Sequence, residues 1–444
     1  MHYEKFQDGT VKCIEDEIPF ELPEGWEWAR LRDICMMSAG KSKSSDQIKS
    51  EPFQGSYPCF GGNGVRGYVD EYNQDGIFSI VGRQGALCGN INIAIGKFYA
   101  TEHAVVTTLF AGIDFKWSNY ILEALRLNNY ATGAAQPGLS VANILNVFVP
   151  VPPTQEQDRI GNNVDESLKF IEALEQEKID LQKIIIAAKS KILDLAIRGK
   201  LVPQDPNDEP ASVLLERMRA EKEELIKQGK IKRDKKESVI FKGDDNSYYL
   251  RTELETMEIA DELPYKIPES WEWARIGNVF QVNPRNKLDD LLEVSFIPMP
   301  LIDDGFSGKH TSEVRVWKKI KSGFTHFTEG DIGIAKITPC FENRKSVVFR
   351  NLKNNYGAGT TELHVLRPYA SSILPEYVLA YVKSSMFIDK GKQEFTGAVG
   401  QQRIGKDYVE NSYFPIPPLA EQKRIVEQIS TVYKQLDLIS NALR

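Results

Sequence analysis

Several residue sets could carry catalytic chemistry, but none of them completes a known catalytic motif. Asn283-Pro284-Arg285 is the nearest string to an amino-methyltransferase signature, and it lacks the second proline. Gly40-Lys41-Ser42 resembles the end of a phosphate-binding loop, yet Cys35 stands where the first glycine is required. The segment 60–64, Phe-Gly-Gly-Asn-Gly, could mimic a cofactor loop, and we interpret it as a turn. We therefore expect no catalytic site and no cofactor in this chain.

Histidine and cysteine, the usual metal ligands and nucleophiles, are scattered along the chain. His103 and His364 lie just after a Thr-Glu pair that occurs twice, and we expect a structural role for both. The cysteines form no Cys-x-x-Cys pair, which argues against a zinc site and against a disulfide framework. They are Cys13, Cys35, Cys59, Cys88 and Cys340. We expect no metal site and a reducing compartment, the cytoplasm.

Composition sets only broad limits. A length of 444 residues predicts two to four domains. No apolar run is long enough to span a membrane, and the first residues do not resemble a signal peptide. The net charge of −7 does not by itself indicate a nucleic-acid-binding protein, which is usually basic.

An internal duplication organises the chain. Residues 23–30 read PEGWEWAR and residues 268–275 read PESWEWAR, so that seven of eight positions match. Residues 150–160 read PVPPTQEQDRI and residues 415–425 read PIPPLAEQKRI. The separation between copies grows along the chain, which predicts an insertion of about 20 residues in the second copy. The sequence thus contains two related modules.

Weaker echoes lie between these motifs. Thr101-Glu102 corresponds to Thr361-Glu362, and the Thr-Gly-Ala at 132–134 corresponds to that at 396–398. The paired tryptophans Trp26, Trp28, Trp271 and Trp273 could stack on nucleic-acid bases. Their duplicated position at the entrance of each module favours core packing instead.

After each Pro-Pro the periodicity changes to that of a helix. From Thr154 a spacing that alternates between four and three is filled mostly by apolar residues, Ala188 among them, with Ser167 and Lys178 in the two gaps. This spacing predicts a coiled-coil seam about five heptads long. A capping box between Thr154 and Gln157 and a C-terminal cap at Gly199 would bound a helix of roughly 65 Å. The seam residues are Ile160, Val164, Ile171, Leu174, Leu181, Ile185, Ile192 and Leu195.

A second seam begins after the second Pro-Pro and is shorter, about three heptads. Its residues are Ile425, Ile429, Val432, Leu436 and Ile439. A further helix is expected within residues 211–229, followed by the basic run 230–236, which we interpret as a solvated linker with phosphate contact as the alternative.

The remaining residues read as short strands, turns and a few helices. Strands are expected at 77–81, 91–95, 314–317, 332–337 and 347–350, and helices near 118–128 and 375–386. The fold class is therefore α+β: two homologous mixed α+β domains separated and followed by long α-helices that form an antiparallel coiled coil. The expected boundaries are 1–153, 154–235, 236–417 and 418–444.

The order of these motifs resembles the specificity (S) subunit of type I restriction-modification systems. The resemblance rests on both PE(G/S)WEW strings, on both closing Pro-Pro strings, and on GKLVPQDPNDEPASVLLERMRAEKEELIKQGKIK after the first long helix. It also rests on YPCFGGNGVRGYVDEY and GKFYATEH in the first module and on GDIGIAKITPCFENRK and GTTELHVL in the second.

The resemblance implies a non-catalytic protein that reads a bipartite, asymmetric site on double-stranded DNA with two target-recognition domains. It also implies docking of two methyltransferase (M) subunits, which carry S-adenosylmethionine, and of endonuclease/translocase (R) subunits, which use ATP and Mg²⁺. Two rival classes are a free-standing bipartite DNA-binding protein without methyltransferase partners and an enzyme with an unrecognised active site.

Candidate DNA contacts follow from side-chain type and from position in turn-rich loops, since arginine and lysine read guanine while asparagine and glutamine read adenine. In the first module they are Lys41, Lys43, Asn63, Arg66, Arg83 and Gln84. In the second module they are Arg285, Lys287, Lys336, Asn343, Arg344, Lys345, Gln401, Gln402 and Arg403.

The chain departs from the resembled family in the length of its second helical seam. An antiparallel pairing would leave the start of the first helix without a full partner. We therefore expect an exposed apolar seam near Ile160, Val164 and Ile171, to be covered by an M subunit, by a second copy or by the N-terminal segment.

Overall fold

The computed structural model describes residues 2–6, 8–133, 137–231, 233, 238–369, 372–398 and 400–443. It divides into two compact units, unit 1 at residues 1–176 and unit 2 at residues 177–444. Both units mix strands and helices, as the α+β expectation requires. The expected fold class is confirmed, while the four segment boundaries remain a prediction. Ala134 of one repeat echo and most of the basic run 230–236 lie outside the described residues.

Unit 1 contains a hairpin, a strand pair, a large sheet and several helices. In chain order its elements are β1 (Tyr3–Lys5), β2 (Val11–Cys13), β3 (Glu27–Arg30), α1 (Leu31–Ile34), β4 (Cys35–Ala39), β5 (Tyr57–Gly61), β6 (Gly64–Val69), β7 (Gln74–Gly82), β8 (Ile91–Ala100), β9 (Ala104–Leu109), α2 (Phe115–Ala124), α3 (Val141–Ile144), β10 (Phe148–Val151) and α4 (Thr154–Ile197), which continues into unit 2. Short 3₁₀ helices cover Glu15–Glu17, Ser45–Gln47 and Leu127–Tyr130.

The large sheet of unit 1 has the order β4-β9-β7-β8-β5-β6 and packs on both faces. Successive strand residues point to opposite faces. Val81 therefore packs with Trp117 of α2, whereas its neighbour Ile80 packs with Phe98 in a second cluster. This two-sided burial explains why the apolar runs in β7 and β9 do not alternate with polar residues.

Unit 2 repeats this order of elements with interruptions. Its elements are α5 (Ala211–Lys227), β11 (Val239–Lys242), β12 (Tyr248–Arg251), β13 (Thr256–Glu258), β14 (Glu272–Arg275), α6 (Ile276–Val279), β15 (Phe280–Val282), β16 (Glu293–Ile297), β17 (Glu313–Val316), β18 (Thr325–Thr328), β19 (Ile332–Ala335), β20 (Ser346–Val348), β21 (Tyr356–Gly359), β22 (Leu363–Pro368), α7 (Pro375–Val382), α8 (Ser385–Gln393), α9 (Lys406–Asn411), β23 (Tyr413–Ile416) and α10 (Leu419–Ala442). Short 3₁₀ helices cover Ala260–Glu262, Met299–Leu301, Trp317–Lys319 and Lys353–Asn355.

Strand pairing defines which residues of the two modules are equivalent. A parallel pair joins Phe60 to Ala100 in unit 1 and Ile297 to Gly359 in unit 2. Strands β18 and β19 together occupy the place of β7, and β20 and β21 together occupy the place of β8. Because both long strands are broken, unit 2 has two four-stranded sheets, β15-β22-β19-β20 and β17-β16-β21-β18, in place of one six-stranded sheet.

This register corrects two expectations. The extra length of the second copy is not a single insertion; one large part is the loop 298–312, which replaces the turn at 62–63, and another separates β20 from β21. The alignment of the two Thr-Glu pairs is also shifted by one residue. Gly82 pairs with Ala104 and Ala335 pairs with Leu363, so Thr101 is equivalent to Thr360 rather than to Thr361.

The two duplicated motifs meet in a strand pair that closes each module. Trp28 of β3 lies opposite Pro150 of β10, and Trp273 of β14 lies opposite Pro415 of β23. Trp271 and Trp273 are each 1% exposed, and Trp26 and Trp28 are partly buried. Core packing therefore accounts for the tryptophans, as expected from their repeated position.

Helix α4 begins at Thr154 as predicted, but without the capping box. The Gln157 amide donates to the Pro152 carbonyl at 2.9 Å and accepts from the Asp114 backbone N–H at 2.8 Å, so it is not free to cap its own helix. The helix end is as predicted: Gly199 has a φ of +67°, and the Lys200 N–H bonds to the Leu195 carbonyl at 2.9 Å. That pattern is a Schellman cap.

The seam of α4 is buried only near its C-terminal end. Ile185 is 5% exposed, whereas Ile171 and Leu174 are 49% and 48% exposed. Ile160 packs against the core of unit 1, so the expectation of an exposed Ile160 was wrong. Val164 is partly buried, Leu181 is exposed, and Ile192 and Leu195 are partly buried. The bare stretch of the helix covers residues 166–181.

Helix α10 runs antiparallel to the end of α4 within unit 2. Glu421 near its start bonds to Gln204, which follows α4, whereas Tyr433 further along bonds to the Lys189 carbonyl at 2.8 Å. Lys189 also forms an ion pair with Asp437. Of its seam, Ile425 is fully buried, Ile429, Val432 and Leu436 are partly buried, and Ile439 is exposed.

Candidate nucleic-acid interface

In unit 1 two loops beyond the ends of the sheet strands pair with each other. Arg83 and Gln84 follow β7, and Gln84 forms a bridge with Gly138. The Leu139 N–H donates to the Arg83 carbonyl at 2.9 Å, and the Arg83 N–H donates to the His103 carbonyl at 2.9 Å. The Gln84 side chain is exposed and that of Arg83 partly exposed, which leaves both polar groups available to a ligand.

Unit 2 builds the same pair of loops from different side chains. The Ile404 N–H donates to the Lys336 carbonyl at 3.0 Å, and the Lys336 N–H donates to the Glu362 carbonyl at 3.0 Å. Lys336 is therefore equivalent to Arg83, and Arg403 takes the place of Gly138. Sequence reasoning selected Arg83 and Lys336 independently, and the tertiary structure places them at one equivalent position.

A cleft of about 280 Å³ lies beside Lys336 in unit 2. Its lining includes Asn283, Arg285, His326 and Thr361. The Arg285 guanidinium donates to the Phe324 carbonyl at 2.7 Å, which fixes the charge at the rim. Burial, with the nearby Arg285, lowers the pKa of His326, whose Nδ1 accepts from the Asn286 N–H at 3.2 Å and whose Nε2 donates to the Lys321 carbonyl at 3.1 Å. Such a cleft can accept a phosphate or a nucleic-acid base beside the positively charged side chains of Arg285 and Lys336.

Glu362 links this cleft to the neighbouring loop. Arg403 donates to both Glu362 carboxylate oxygens, at 2.9 and 3.0 Å. This bidentate bond lowers the pKa of Glu362, which holds the carboxylate ionised. The pair fixes the Arg403 head in place, while Gln401 is exposed and Gln402 partly exposed at the loop tip.

The other candidates of unit 1 lie on the loops around β5 and β6. Lys41 and Asn63 are exposed, and Asn63 accepts a bond from Asn90 at 2.6 Å. Arg66 donates to the Ser45 hydroxyl at 2.7 Å. Lys43 is 9% exposed in its side chain and bonds to Glu71 at 2.6 Å, which neutralises its charge locally. Among these candidates, Lys43 is therefore the least available for contact with DNA.

Two candidates of unit 2 are occupied inside the protein. Lys345 donates to the Ile302 carbonyl at 2.9 Å, and Arg344 donates to the Lys383 carbonyl at 2.9 Å. These bonds make them anchors of the loop 336–345, so they contribute little to our DNA-binding proposal. Asn343 and Lys287, by contrast, are exposed.

Sequence reasoning missed Asn90, Ser45, His326 and Thr361, which lie beside the selected residues. No local sequence motif marks these four positions, which only the folded chain brings beside the selected residues. Within the described part of the chain, no cluster of three or more histidine, cysteine, aspartate or glutamate side chains could hold a metal ion. No helix in that part has the length and apolar character needed to cross a membrane.

The sequence model of the type I restriction modification DNA specificity domain matches the chain twice, over residues 23–183 and 268–444. The chain belongs to this family. Each match begins at a duplicated Trp motif, runs through the closing strand pair and ends within or after a long helix. The duplication read from the sequence is therefore a duplication of the family's own domain.

Two curated relatives and one solved structure are similar to this chain. The specificity subunits of the Escherichia coli type I restriction enzymes EcoAI and EcoEI are each 46% identical, over 261 and 254 residues, covering 59% and 57% of this chain. The matches span 41% and 40% of those relatives, less than half their length. The crystal structure of the HsdS subunit from Thermoanaerobacter tengcongensis is 15% identical with a TM-score of 0.53, covering 96% of this chain and 93% of that one, and it supports the fold.

Proposed function

We propose that this chain is the DNA-specificity subunit of a type I restriction-modification complex. The observation that carries the proposal is the double family match, in which each copy has the same closing strand pair but different side chains at its loops. Lys336 stands where Arg83 stands, and Arg403 stands where Gly138 stands. Two readers that differ in this way would recognise a bipartite, asymmetric DNA site.

Helix α4 suits the role of a spacer between the two readers. Its 44 residues correspond to about 66 Å. In this proposal α4 connects the two readers, because it begins in unit 1 and ends in unit 2. The exposed loop residues Gln84, Arg285 and Gln401 would contact base edges or phosphates.

Catalysis would belong to partner subunits. Two methyltransferase subunits would bind S-adenosylmethionine and methylate adenine, and endonuclease subunits would use ATP and Mg²⁺. The long helices α4 and α10 would provide the docking surface for the methyltransferases, in the cytoplasm. The exposed apolar residues Ile171, Leu174 and Leu181 on α4 support a protein partner on that helix.

The decisive experiment maps methylated adenines in cells that carry or lack this chain. Loss of one bipartite methylated motif on deletion, restored by the wild-type gene, is the expected result. A deletion that leaves every methylated motif in place would overturn the proposal. Tight binding of the purified chain to a bipartite site with no co-purifying methyltransferase would favour the free-standing DNA-binding alternative.

A further inference from the structure

In unit 1 the turn at 62–63, after β5, packs against the loop 83–90 that joins β7 to β8. Gly62 lies so close to this loop that an added Cβ would come within 3.0 Å of the Gln84 carbonyl oxygen. Gly64, on the other side of the turn, has a φ of +80°, which favours glycine, and an added Cβ there would come within 3.1 Å of the Asn92 side-chain oxygen. Asn63, between these two glycines, is therefore held against the loop.

The side chains of Asn63 and Asn90, here called the amide pair, are bonded to each other at the surface. The Asn90 Nδ2 donates to the Asn63 Oδ1 at 2.6 Å, and both residues are exposed. The backbone of Asn90 is fixed, because its N–H donates to the Leu87 carbonyl at 3.2 Å and its carbonyl accepts from the Gly82 N–H at 2.9 Å. The bond within the pair does not use the side-chain oxygen of Asn90 or the amino group of Asn63. The amide pair thus offers one acceptor and one donor to a ligand.

One acceptor and one donor are what the major-groove edge of adenine requires. Adenine presents the acceptor N7 and the donor N6 amino group, whereas guanine presents two acceptors, N7 and O6. The Asn63 amino group can donate to N7 while the Asn90 oxygen accepts from N6, and guanine would place its O6 against that oxygen. Leu87, which is 54% exposed on the same turn as Asn90, suits the methyl group of the paired thymine. The side chains at this point therefore match an A·T base pair.

In unit 2 the equivalent position is used inside the protein. The Ala335 N–H donates to the Lys345 carbonyl at 2.9 Å, as the Gly82 N–H does to that of Asn90, so Lys345 is equivalent to Asn90. The Lys345 Nζ donates to the carbonyls of Ile302 and Met299, at 2.9 and 3.4 Å, in the loop 298–312 that replaces the turn at 62–63. Both side chains thus bond to the connection that follows the equivalent strand, but only in unit 1 is the bond formed between two exposed amides.

We propose that the amide pair, Asn63 with Asn90, reads one adenine through its major-groove edge in the half-site bound by unit 1, an inference that rests on the proposed function. Asn90 is then a specificity-determining residue of unit 1, and its equivalent Lys345 reads no base in unit 2. The bond between the two amides holds them in place before DNA binds, which reduces the entropy lost on recognition. The two modules therefore differ in which loop positions they use as well as in the side chains at those positions.

The test uses the chain assembled with its methyltransferase subunits and fluorescent DNA duplexes that carry the methylated motif found by mapping. Each adenine of the motif is replaced in turn by 7-deazaadenine, which has a C–H group in place of the acceptor N7. We expect one position at which this replacement weakens binding by the wild-type complex about tenfold, because one hydrogen bond to the base is lost. At that position the replacement should not weaken binding further in Asn63→Leu, which has already lost the donor.

A double-mutant cycle tests whether the two amides act together. Asn63→Leu and Asn90→Leu should each weaken binding to the unmodified motif about tenfold, and the double variant should be little weaker than either one. Gln54→Leu is the matched control, because Gln54 is an exposed amide before β5 begins, at the opposite end of that strand from Asn63. This control should bind like the wild-type complex.

Three outcomes would overturn the inference and leave the proposed function standing. One is specific binding by the wild-type complex that 7-deazaadenine weakens equally in Asn63→Leu, or that it weakens at no position. Another is a double variant whose loss of affinity is the product of the two single losses, because the amides would then act separately. The third is an equal loss of affinity for the motif and for unrelated DNA, because the amides would then contact phosphates. Absence of any sequence-specific binding by the wild-type complex would overturn the proposed function together with this inference.

Discussion

The Gln422 side chain joins the closing strand pair of unit 2 to helix α7, because its carbonyl accepts the Leu374 backbone N–H at 2.9 Å. Gln157 does the same in unit 1, where it accepts the Asp114 N–H at the start of α2. Both glutamines are 0–2% exposed. One buried amide therefore satisfies two backbone groups at the same point in each module.

Substituting either glutamine should weaken its own unit. We expect Gln157→Ala to lower the free energy of unfolding of unit 1 by about 2–4 kcal/mol, because two buried backbone groups lose their partner. Calorimetry of the full chain, which contains two units, would assign the change to one transition. The exposed neighbour Gln155→Ala is the control, and a comparable loss there would contradict this explanation.

Recognition should be altered separately in each half-site. Gln84→Ala should relax base preference at one half-site, by about 1–3 kcal/mol if the amide reads a base. Lys336→Ala should affect the other half-site, and a phosphate contact would reduce the salt dependence of binding by about one ion. Methylated-motif mapping and salt titrations with the assembled complex would measure both effects. Lys227→Ala on α5 is the control, and identical effects of all three variants would refute separate readers.

Acidification should destabilise unit 2 through His364. Its Nε2 donates to the Ile404 carbonyl at 3.1 Å and its Nδ1 accepts from Asn283 at 3.3 Å, an arrangement that requires the neutral ring. Burial, with smaller effects from Lys336 and Lys406, lowers the pKa of His364. Below the ordinary value of 6.5 the unfolded chain takes up a proton that the folded chain resists, so stability is present above that pH and is lost as the pH falls.

Thermal unfolding between pH 7.5 and 5 would measure this dependence. His364→Gln retains one donor and one acceptor, and it should reduce the loss of unit 2 stability over that range. His103→Gln in unit 1 is the matched control, since that ring is partly exposed. An unchanged pH dependence in His364→Gln would show that other groups cause it.

Helix α4 should tolerate charge in its bare stretch but not at its packed end. Ile171→Asp should change the free energy of unfolding of the isolated chain by less than about 0.5 kcal/mol, because Ile171 is 49% exposed and lies outside the packed part of the helix. Ile185→Asp should cost about 3 kcal/mol or more, since it buries an unpaired charge. Denaturant titration would compare the two.

The same pair of variants also tests partner docking. If a methyltransferase covers the bare stretch, Ile171→Asp should reduce co-purification of that subunit while leaving the chain folded. Normal assembly of the complex with Ile171→Asp would move the docking surface elsewhere on the helices.

Local sequence determined the elements that repeat and those that have a strong period. The duplicated tryptophan and Pro-Pro motifs located both modules, and a regular apolar spacing from Thr154 to a glycine at 199 located α4 almost to the residue. The helix could be located from the sequence because a helix and its caps depend on residues within about four positions of each other along the chain.

Contacts between distant residues were decided only by the tertiary structure. Thr154 and Gln157 have the spacing of a capping box, but Asp114, distant in the chain, claims the Gln157 amide. Arg344 and Lys345 are residue types that commonly contact DNA. In the folded chain, however, they donate hydrogen bonds to the backbone carbonyls of Lys383 and Ile302. The equivalence of Thr101 with Thr360, instead of Thr361, likewise follows from strand register. Register is set by the pairing of strands and cannot be read from the local sequence.

The sequence by itself thus determined that two copies of one domain are joined and followed by helices, because repetition and period are properties of the chain alone. Which charged side chains remain exposed, and which are bonded to carbonyls inside the protein, depended on the folded structure. The physical reason is that a hydrogen-bond donor has the same identity whether it faces water or a carbonyl, and only the surrounding fold decides which one it meets.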